Sequence, residues 1–382
     1  LRTPGGGFAA SLDADAQGVE GATFTWRLGQ VRGGLGDAAP LFEAAYGVTG
    51  GGNWEGVTIL SRVGGDRELA DRFGLEASDV AERLASSRAA LFAARSARPQ
   101  PARDNKVLAA WNGLAIASLA EAARALDAGA PELADRASAY RDAAVAAAGD
   151  VLDGLRWAPG RLRRSWKDGR STADGVLEDY ADLADGLLAL YEATSDERWF
   201  TEAVDLAEAM LAHFGDPAGG FFDSADDAEG LVVRPRDPQD NAVPSGGAMA
   251  TTVLLRLAAL TGEPRYRAAA ERALAGVGPF LGRYPTAFAL WLSALETSHH
   301  GIAEIAIVAD GQTARPLVRA ASRTFGPFRV LAVSPSPADS SVPLMRDRFA
   351  LRGRPTAFVC RDFACRQPVH EPEALEALLV GT

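Results

Sequence analysis

Cysteine is nearly absent, with two among 382 residues, too few for a secreted fold framed by disulfides. No apolar run approaches the roughly 18–20 residues of a membrane span. No basic stretch leading into an apolar one opens the chain as a secretion signal would. These absences point to a cytoplasmic protein. Positive charge is also short: 39 Lys and Arg against 50 Asp and Glu leave a net charge of -11, which argues against nucleic acid and membrane surfaces as partners. Histidine occurs four times, as His213, His299, His300 and His370. None falls in an H-E-x-x-H or a zinc spacing, and there is no P-loop and no G-x-S-x-G. The "GGLG" at 33–36 reads as a turn and not as a dinucleotide fingerprint. No metal and no cofactor are expected. An initial Met is missing too, and Leu1 stands just before a Gly-rich loop, so the sequence reads as a fragment of a longer chain.

Hydrophobic residues make up 47% and charged residues 23%, the balance of an ordinary globular chain with room for two domains. From about 76 to 297 helices of two kinds alternate. Those at 77–97, 131–149, 197–214 and 264–281 have one charged face, which marks surface helices. Those at 111–126, 180–193, 245–260 and 285–296 are apolar nearly all round, which marks buried ones. Inner helices lead to outer ones through short links such as "TSD" at 194–196, whereas the return links are long. Residues 5–26, 154–166 and 219–234 among these long segments read as hairpins, the last with an acidic turn. Strict alternation with the long loops on one rim favours a ring of helical hairpins, an α/α toroid, over a four-helix bundle. Four inner helices are countable, and a six-hairpin ring would need two more before Leu1.

The inner helices open on polar side chains. The stretch "RDNKVLAAWNGL" at 103–114 brings Asp104, Lys106, Trp111 and Asn112; later openings carry Asp174, Glu178, Asp179 and Tyr180, then Asp240, Asn241 and Ser245. Helix N-termini offer unpaired N–H groups and the positive dipole end, and polar groups at the mouth of an apolar ring suit a small-molecule pocket. Aromatic rings among carboxylates and amides suit a polyhydroxylated, sugar-like ligand, and a charged Lys106 beside them suits hydroxyl binding. The plainer reading is helix capping, which fits Ser245 and Asp179 taken alone but not Trp111 or Lys106. Glu178 and Asp179 leave their helix in different directions, so one can face a pocket and the other not. Asp13 and Asp15, with Glu20, form a second carboxylate group that either supplies an acid and a base or nucleophile or lies solvated in a hairpin turn. The "DSADDAEG" at 223–230 lacks the spacing and central Gly of a calcium loop and reads as a solvated turn. His213 ends an outer helix, where it suits the negative dipole end.

Beyond about 300 the pattern changes to short β-branched strands around a helix at 312–324, with a further strand in "PTAFVC" and a closing helix. This is a small α/β module whose β-α-β order calls for some parallel pairing. Cys360 and Cys365 stand in a C-x4-C spacing. Such a pair can hold half a metal site or close a disulfide; it has too few ligands for structural zinc and is not the C-x-x-C of a thioredoxin-type site. A structural or incidental role is the simpler reading.

Successive blocks, "GGGFAASLDADAQGVEGATFTW", "GGNWEGVTIL" with Asn53 and Trp54, "RDNKVLAAWNGLAIASLAEA", "LEDYADLADGLLALYEAT", "GGFFDSADDAEGLVVRPRDPQDNAVPSGGAMA" and "PTAFVCRDFACRQPV", resemble the thioredoxin-domain-containing proteins similar to spermatogenesis-associated protein 20. The resemblance runs in order along nearly the whole chain. It implies a mainly α fold, an (α/α)6-type, six-hairpin glycosidase-like toroid over 1–300, incomplete at its N-terminus, with the α/β module over 301–382. It also implies a thioredoxin-like domain ahead of the toroid as partner in the full-length chain, and likeness to N-acylglucosamine 2-epimerases. Gly246-Gly247 stand where the family's motif often reads Ser-Gly-Asn, which removes one amide, and no histidine matching the epimerase pair lies on the inner helices. The expected function is carbohydrate-active, epimerase-, isomerase- or hydrolase-like; the alternative is a non-catalytic sugar-binding or redox-partner scaffold. The expected catalytic residues are Asp13, Asp15, Glu178 and Asp179. Asn53, Trp54, Asp104, Lys106, Trp111, Asn112, Tyr180, Asp240 and Ser245 are expected to bind substrate.

Overall fold

In the computed structural model, which describes residues 1–171, 173–230 and 232–380, the chain divides into two compact units: Ser11–Asp104, and Leu1–Ala10 with Asn105–Thr382. Strand β1 (Ala9–Leu12) leads into the smaller unit. There β2 (Asp15–Ala16) and β3 (Val19–Glu20) form a hairpin turning on Gln17 and Gly18, both at positive φ. Helices α1 (Leu28–Leu35), α2 (Ala39–Tyr46), α3 (Asp66–Phe73) and α4 (Ala77–Ser96) follow, enclosing Trp26, Val31, Phe42, Leu69 and Leu84 in a core of their own. Arg98 lies over the Trp26 ring at 3.9 Å and donates to the carbonyls of Thr23 and Thr25. The "GGLG" expected as a turn instead closes α1, which stops where Gly36 takes a positive φ of 52°.

The larger unit runs from β4 (Arg103–Leu108) into α5 (Ala109–Ala128) and α6 (Ala134–Leu155). Hairpin β5 (Arg156–Ala158) and β6 (Arg161–Leu162) turns on Pro159 and Gly160, as the sequence predicts. A second hairpin, β7 (Ser165–Lys167) and β8 (Arg170–Ser171), turns on Asp168 and Gly169 with φ of 52° and 75°. The Asp-Gly pair favours this type of turn. Helices α7 (Leu177–Thr194), α8 (Glu197–Ala209), α9 (Gly246–Thr261), α10 (Pro264–Leu281) and α11 (Ala289–His300) complete the helical part.

The packing order read from the sequence is present: α5, α7, α9 and α11 pack side by side in order, and α6, α8 and α10 lie against them; α11, expected to be buried, buries only Trp291 and Ala294. Helix α7 is buried along almost its whole length. The short links work through local chemistry. Ser195 ends α7 at a φ of 59°, and Asp196 then caps α8 by accepting from the Arg198 N–H at 3.0 Å. Helices α5 and α7 approach closely because glycine faces glycine: a Cβ on Gly113 would overlap the Asp182 carbonyl, and one on Gly186 would meet the Gly113 carbonyl.

The acidic hairpin expected at 219–234 is not a strand pair; among its described residues only an isolated bridge between Gly215 and Phe221 forms. Arginines organise this loop instead. Arg234 donates to the carbonyls of His213 and Ser224, and Arg236 donates to the Gly219 carbonyl and the Asp216 carboxylate. Side chains that occupy carbonyls in this way leave the backbone without a ladder to form.

The terminal module comprises β9 (Ala303–Val308), α12 (Gly311–Ser322), β10 (Arg329–Ser334), β11 (Thr356–Arg361), β12 (Ala364–Cys365) and α13 (Pro372–Leu379). Strand β9 pairs parallel with β10 and antiparallel with β11. Its Ile305 and Ile307 pack with α12 and α13, while Ala306 and Val308 join the helical core. The module thus shares one compact unit with the helices, and the division between units falls at 104–105. No helix is long and apolar enough to cross a membrane among the described residues.

The glycine contact yields a direct expectation. Gly113→Ala should destabilise the chain by roughly 2–3 kcal/mol, the cost of forcing packed backbones apart. Denaturant midpoints would measure it, with Gly149→Ala, whose Cβ meets nothing within 4 Å, as the control.

Candidate functional site

Asp179 lies in the first turn of α7 and is 1% exposed. Its carboxylate accepts from the Val176 N–H at 2.9 Å and from the Ala110 N–H, in the first turn of α5, at 3.3 Å. One side chain therefore satisfies otherwise unpaired donors of two inner helices. Arg164, between β6 and β7, reaches the same carboxylate at 3.3 Å and holds Glu178 at 2.7 Å. Arg164 is itself fixed through its main chain, donating to Ala173 and accepting from Ala109. Burial pushes the Asp179 carboxyl up to about 7, and the Arg164 charge opposes that shift. Enclosed by these partners, Asp179 organises the starts of two helices.

Glu178 turns the other way, into a cavity of about 260 Å³ beside the starts of α7 and α9. Arg164, Asp223, Asp237, Gln239, Asn241 and Ser245 share its wall with Glu178, Val176, Val243, Pro244 and Gly246. Gly246 lets the two helix starts meet, since a Cβ there would stand 2.8 Å from the Glu178 nitrogen. Burial raises the Asp223 carboxyl, and the nearby charges of Asp237 and Glu178 add to the shift. The Asp237 N–H donates to Asp223 at 2.9 Å, fixing its orientation.

Of the residues singled out at the helix openings, Glu178, Asn241 and Ser245 line this cavity among the described residues. Ser245 also caps α9, accepting from the Ala248 N–H at 3.2 Å. Asn112 is buried and spends its amide on the backbone of Phe8 and Leu108. Tyr180 is buried, its hydroxyl accepting from the Leu162 N–H at 3.1 Å. Asp240 accepts from the Ser245 and Leu290 N–H groups, both at 2.9 Å. These three bond to the backbone and lie outside the cavity wall. Trp111 is 46% exposed and Lys106 is exposed on β4; neither borders the cavity.

Asn53, Trp54, Asp104, Asp13 and Asp15 belong to the smaller unit. Asn53 exchanges hydrogen bonds with the Ile59 backbone at 2.8 and 2.9 Å, pinning a turn. Trp54 is half-buried against Gly21, and Asp104 is half-buried at the unit's end. Asp13 and Asp15 are exposed, Asp15 within the β2–β3 hairpin. Their solvated reading fits this placement.

Sequence reasoning missed Arg164, Asp223, Asp237 and Gln239. A signal existed in the basic run "RLRRSW" and in the first Asp of "DSADDAEG", but nothing local separates Asp223 from exposed Asp226 and Asp227. The latter two lie with His213 close enough to share an ion. Arg161 already grips Asp227 at 2.7 and 2.9 Å, however, which neutralises that group.

Alignment with known proteins covers 98% of the chain. The chain is similar to spermatogenesis-associated protein 20. It is 30% identical to the human protein of that name over 416 residues and 30% identical to the rat protein over 417. It covers 52% of each, so it spans about half the length of the relatives it matches. No protein-family model matches the chain. The name spermatogenesis-associated protein 20 states neither ligand nor reaction, so the chemistry has to be argued from the cavity.

One buried acid deepens the picture behind the site. Asp182, 1% exposed, has no hydrogen-bond partner on either carboxylate oxygen among the described residues. Burial, with the charges of Asp185, Glu178 and Asp179, pushes its pKa up to about 9 from an ordinary 3.8. Between those values the folded chain holds a proton that the unfolded chain has released, so stability falls as pH rises. Relative to the parent, Asp182→Asn should gain stability as pH rises from 5 to 8, by roughly 1–3 kcal/mol. Urea midpoints at the two pH values would test this, and an equal effect at both would refute it.

Proposed function

We propose that the chain is carbohydrate-active and that the cavity beside α7 and α9 takes one monosaccharide-sized ligand. Its volume of about 260 Å³ lies near the small end of ligand sites. The observation that carries the reading is the presence in one cavity, beside Asp237, of two differently held carboxylates, Glu178 and Asp223. Glu178 is anchored by Arg164, and Asp223 keeps its proton to higher pH through burial. Such a pair can accept a proton at one position and donate at the other, the requirement of epimerase-, isomerase- or hydrolase-like acid–base chemistry. Gln239, Asn241 and Ser245 add amide and hydroxyl groups suited to sugar hydroxyls.

Within this reading, α5 to α11 are successive hairpins of a six-hairpin α/α toroid, related to the N-acylglucosamine 2-epimerases. The longer protein carries a thioredoxin-like domain as partner and works in the cytoplasm. The described residues of the cavity wall include carboxylates and no histidine, which favours carboxylate chemistry of the hydrolase type over a histidine-pair epimerase. The same observation supports a second reading, a non-catalytic sugar-binding or redox-partner scaffold.

Thermal-shift screening of the chain against a monosaccharide library would test the proposal. Glu178→Gln and Asp223→Asn should each abolish the stabilisation by a responding sugar, whereas Trp111→Ala should keep it. A response preserved in both carboxylate variants would sink the site. NMR of the responding sugar after incubation separates the two readings: a new epimer or a hydrolysis product supports catalysis, and an unchanged sugar supports the scaffold.

A further inference from the structure

Cys360 and Cys365 form a disulfide between directly opposed positions of β11 and β12. The two sulfurs differ in setting: Cys360 is 2% exposed, while Cys365 lies on an exposed strand. Arg348, half-buried, aims one guanidinium nitrogen at both, 3.3 Å from Cys360 Sγ and 3.4 Å from Cys365 Sγ. Its other terminal nitrogen donates to the carbonyls of Leu344 and Arg346, which fix the group in place. A purely structural crosslink has no need of a cation against its sulfurs. A thiolate does, because a neighbouring positive charge favours the ionised form.

We propose that Cys360–Cys365 is a thiol–disulfide exchange site in which Arg348 is a positioning residue that holds the departing Cys360 thiolate. The co-reactant is a low-molecular-weight thiol such as glutathione. Its thiolate attacks Cys365 Sγ; a mixed disulfide forms as the Cys360–Cys365 bond breaks, and Cys360 leaves with the electron pair beside Arg348. A second thiolate attacks the small-molecule sulfur of the mixed disulfide, releasing the oxidised small disulfide and the Cys365 thiolate. Two thiols are oxidised and two cysteines are reduced, and solvent exchanges the protons.

The surroundings tie this chemistry to the fold. The turn between the cysteines, Asp362 and Phe363, has both residues at positive φ, 48° and 63°, which non-glycine residues rarely adopt. The turn is held against the helices: Asp362 pairs with Arg267 at 2.7 Å, and the Phe363 ring packs on Gly262. Opening the crosslink removes one constraint on that turn. Charged groups around the crosslink include Glu304, opposite Cys360 on β9, Asp362 and Asp347, which act on Glu304 and Arg348, and the chain neighbours Arg361 and Arg366. Glu304 accepts from the Phe363 N–H at 2.9 Å. Burial pushes its carboxyl up to about 7, so below that pH the Arg348 charge acts on the thiols with less opposition.

The test exposes the folded chain to reduced glutathione, traps thiols with iodoacetamide and counts alkyl groups by mass. Two additions per chain without denaturant are expected; additions only after denaturation would overturn the proposal. The alkylation rate of the reduced chain against pH gives the second readout, expected to show a thiol pKa below the ordinary 8.5 or so. Arg348→Met, which keeps the stem, should slow alkylation about tenfold at pH 6, one unit of thiol pKa. Arg348→Lys, which restores the charge, should recover most of that rate. A Met variant whose profile superimposes on the parent's would remove Arg348 from the role. Should the Met variant fail to fold, an ordinary thiol pKa in the parent would overturn the proposal by itself.

Discussion

The carboxylate of Asp179 sits where the first turns of two adjacent buried helices meet, and much of the larger unit follows from that placement. A helix start buried in a protein interior leaves N–H groups that water cannot reach. Here Val176 and Ala110 both turn their N–H groups to one side chain. A buried carboxylate carries its own desolvation cost, and Arg164 offsets part of it from the hairpin side. Because Arg164 also holds Glu178, the interaction that joins α5 to α7 places one wall of the cavity.

Glycine makes the helix starts close enough for this to work. Gly113 and Gly186 let α5 and α7 approach, and Gly246 brings the start of α9 against Glu178. The Gly246-Gly247 pair thus does more than remove an amide from a motif. Gly246 sets the distance between two helix starts, with the cavity beside them, and Gly247 makes room for the Trp291 ring.

Arginine supplies order where regular structure is missing. Arg234 and Arg236 take up the carbonyls of the long loop after α8, and Arg161 spans from the β5–β6 hairpin to Asp227 in that loop. The guanidinium fork suits this because it donates in several directions at once. Asp223 is carried on this arginine-built loop, and its main chain is tied on both sides, to the Pro235 carbonyl and to the Leu177 N–H.

The sequence by itself determined what depends on neighbours along the chain. The two helix types are legible from 3.6-residue periodicity, and the turn on Pro159-Gly160 from backbone preferences that need no distant partner. The β-α-β order of the terminal module is legible for the same reason. The role of each polar side chain at a helix start was decided only by tertiary structure. Asn112, Asp179 and Tyr180 look like ligand groups in sequence, yet each meets a backbone donor or acceptor of a distant segment. Glu178, next to Asp179 in the chain, faces the cavity because the helix turns it about 100° away. Which of two adjacent carboxylates is buried, which aspartate of an acidic run is drawn in, and which cation meets the two cysteines all depend on segments far apart in sequence. Burial and unmet hydrogen bonds settle those choices, and both exist only once the chain has folded.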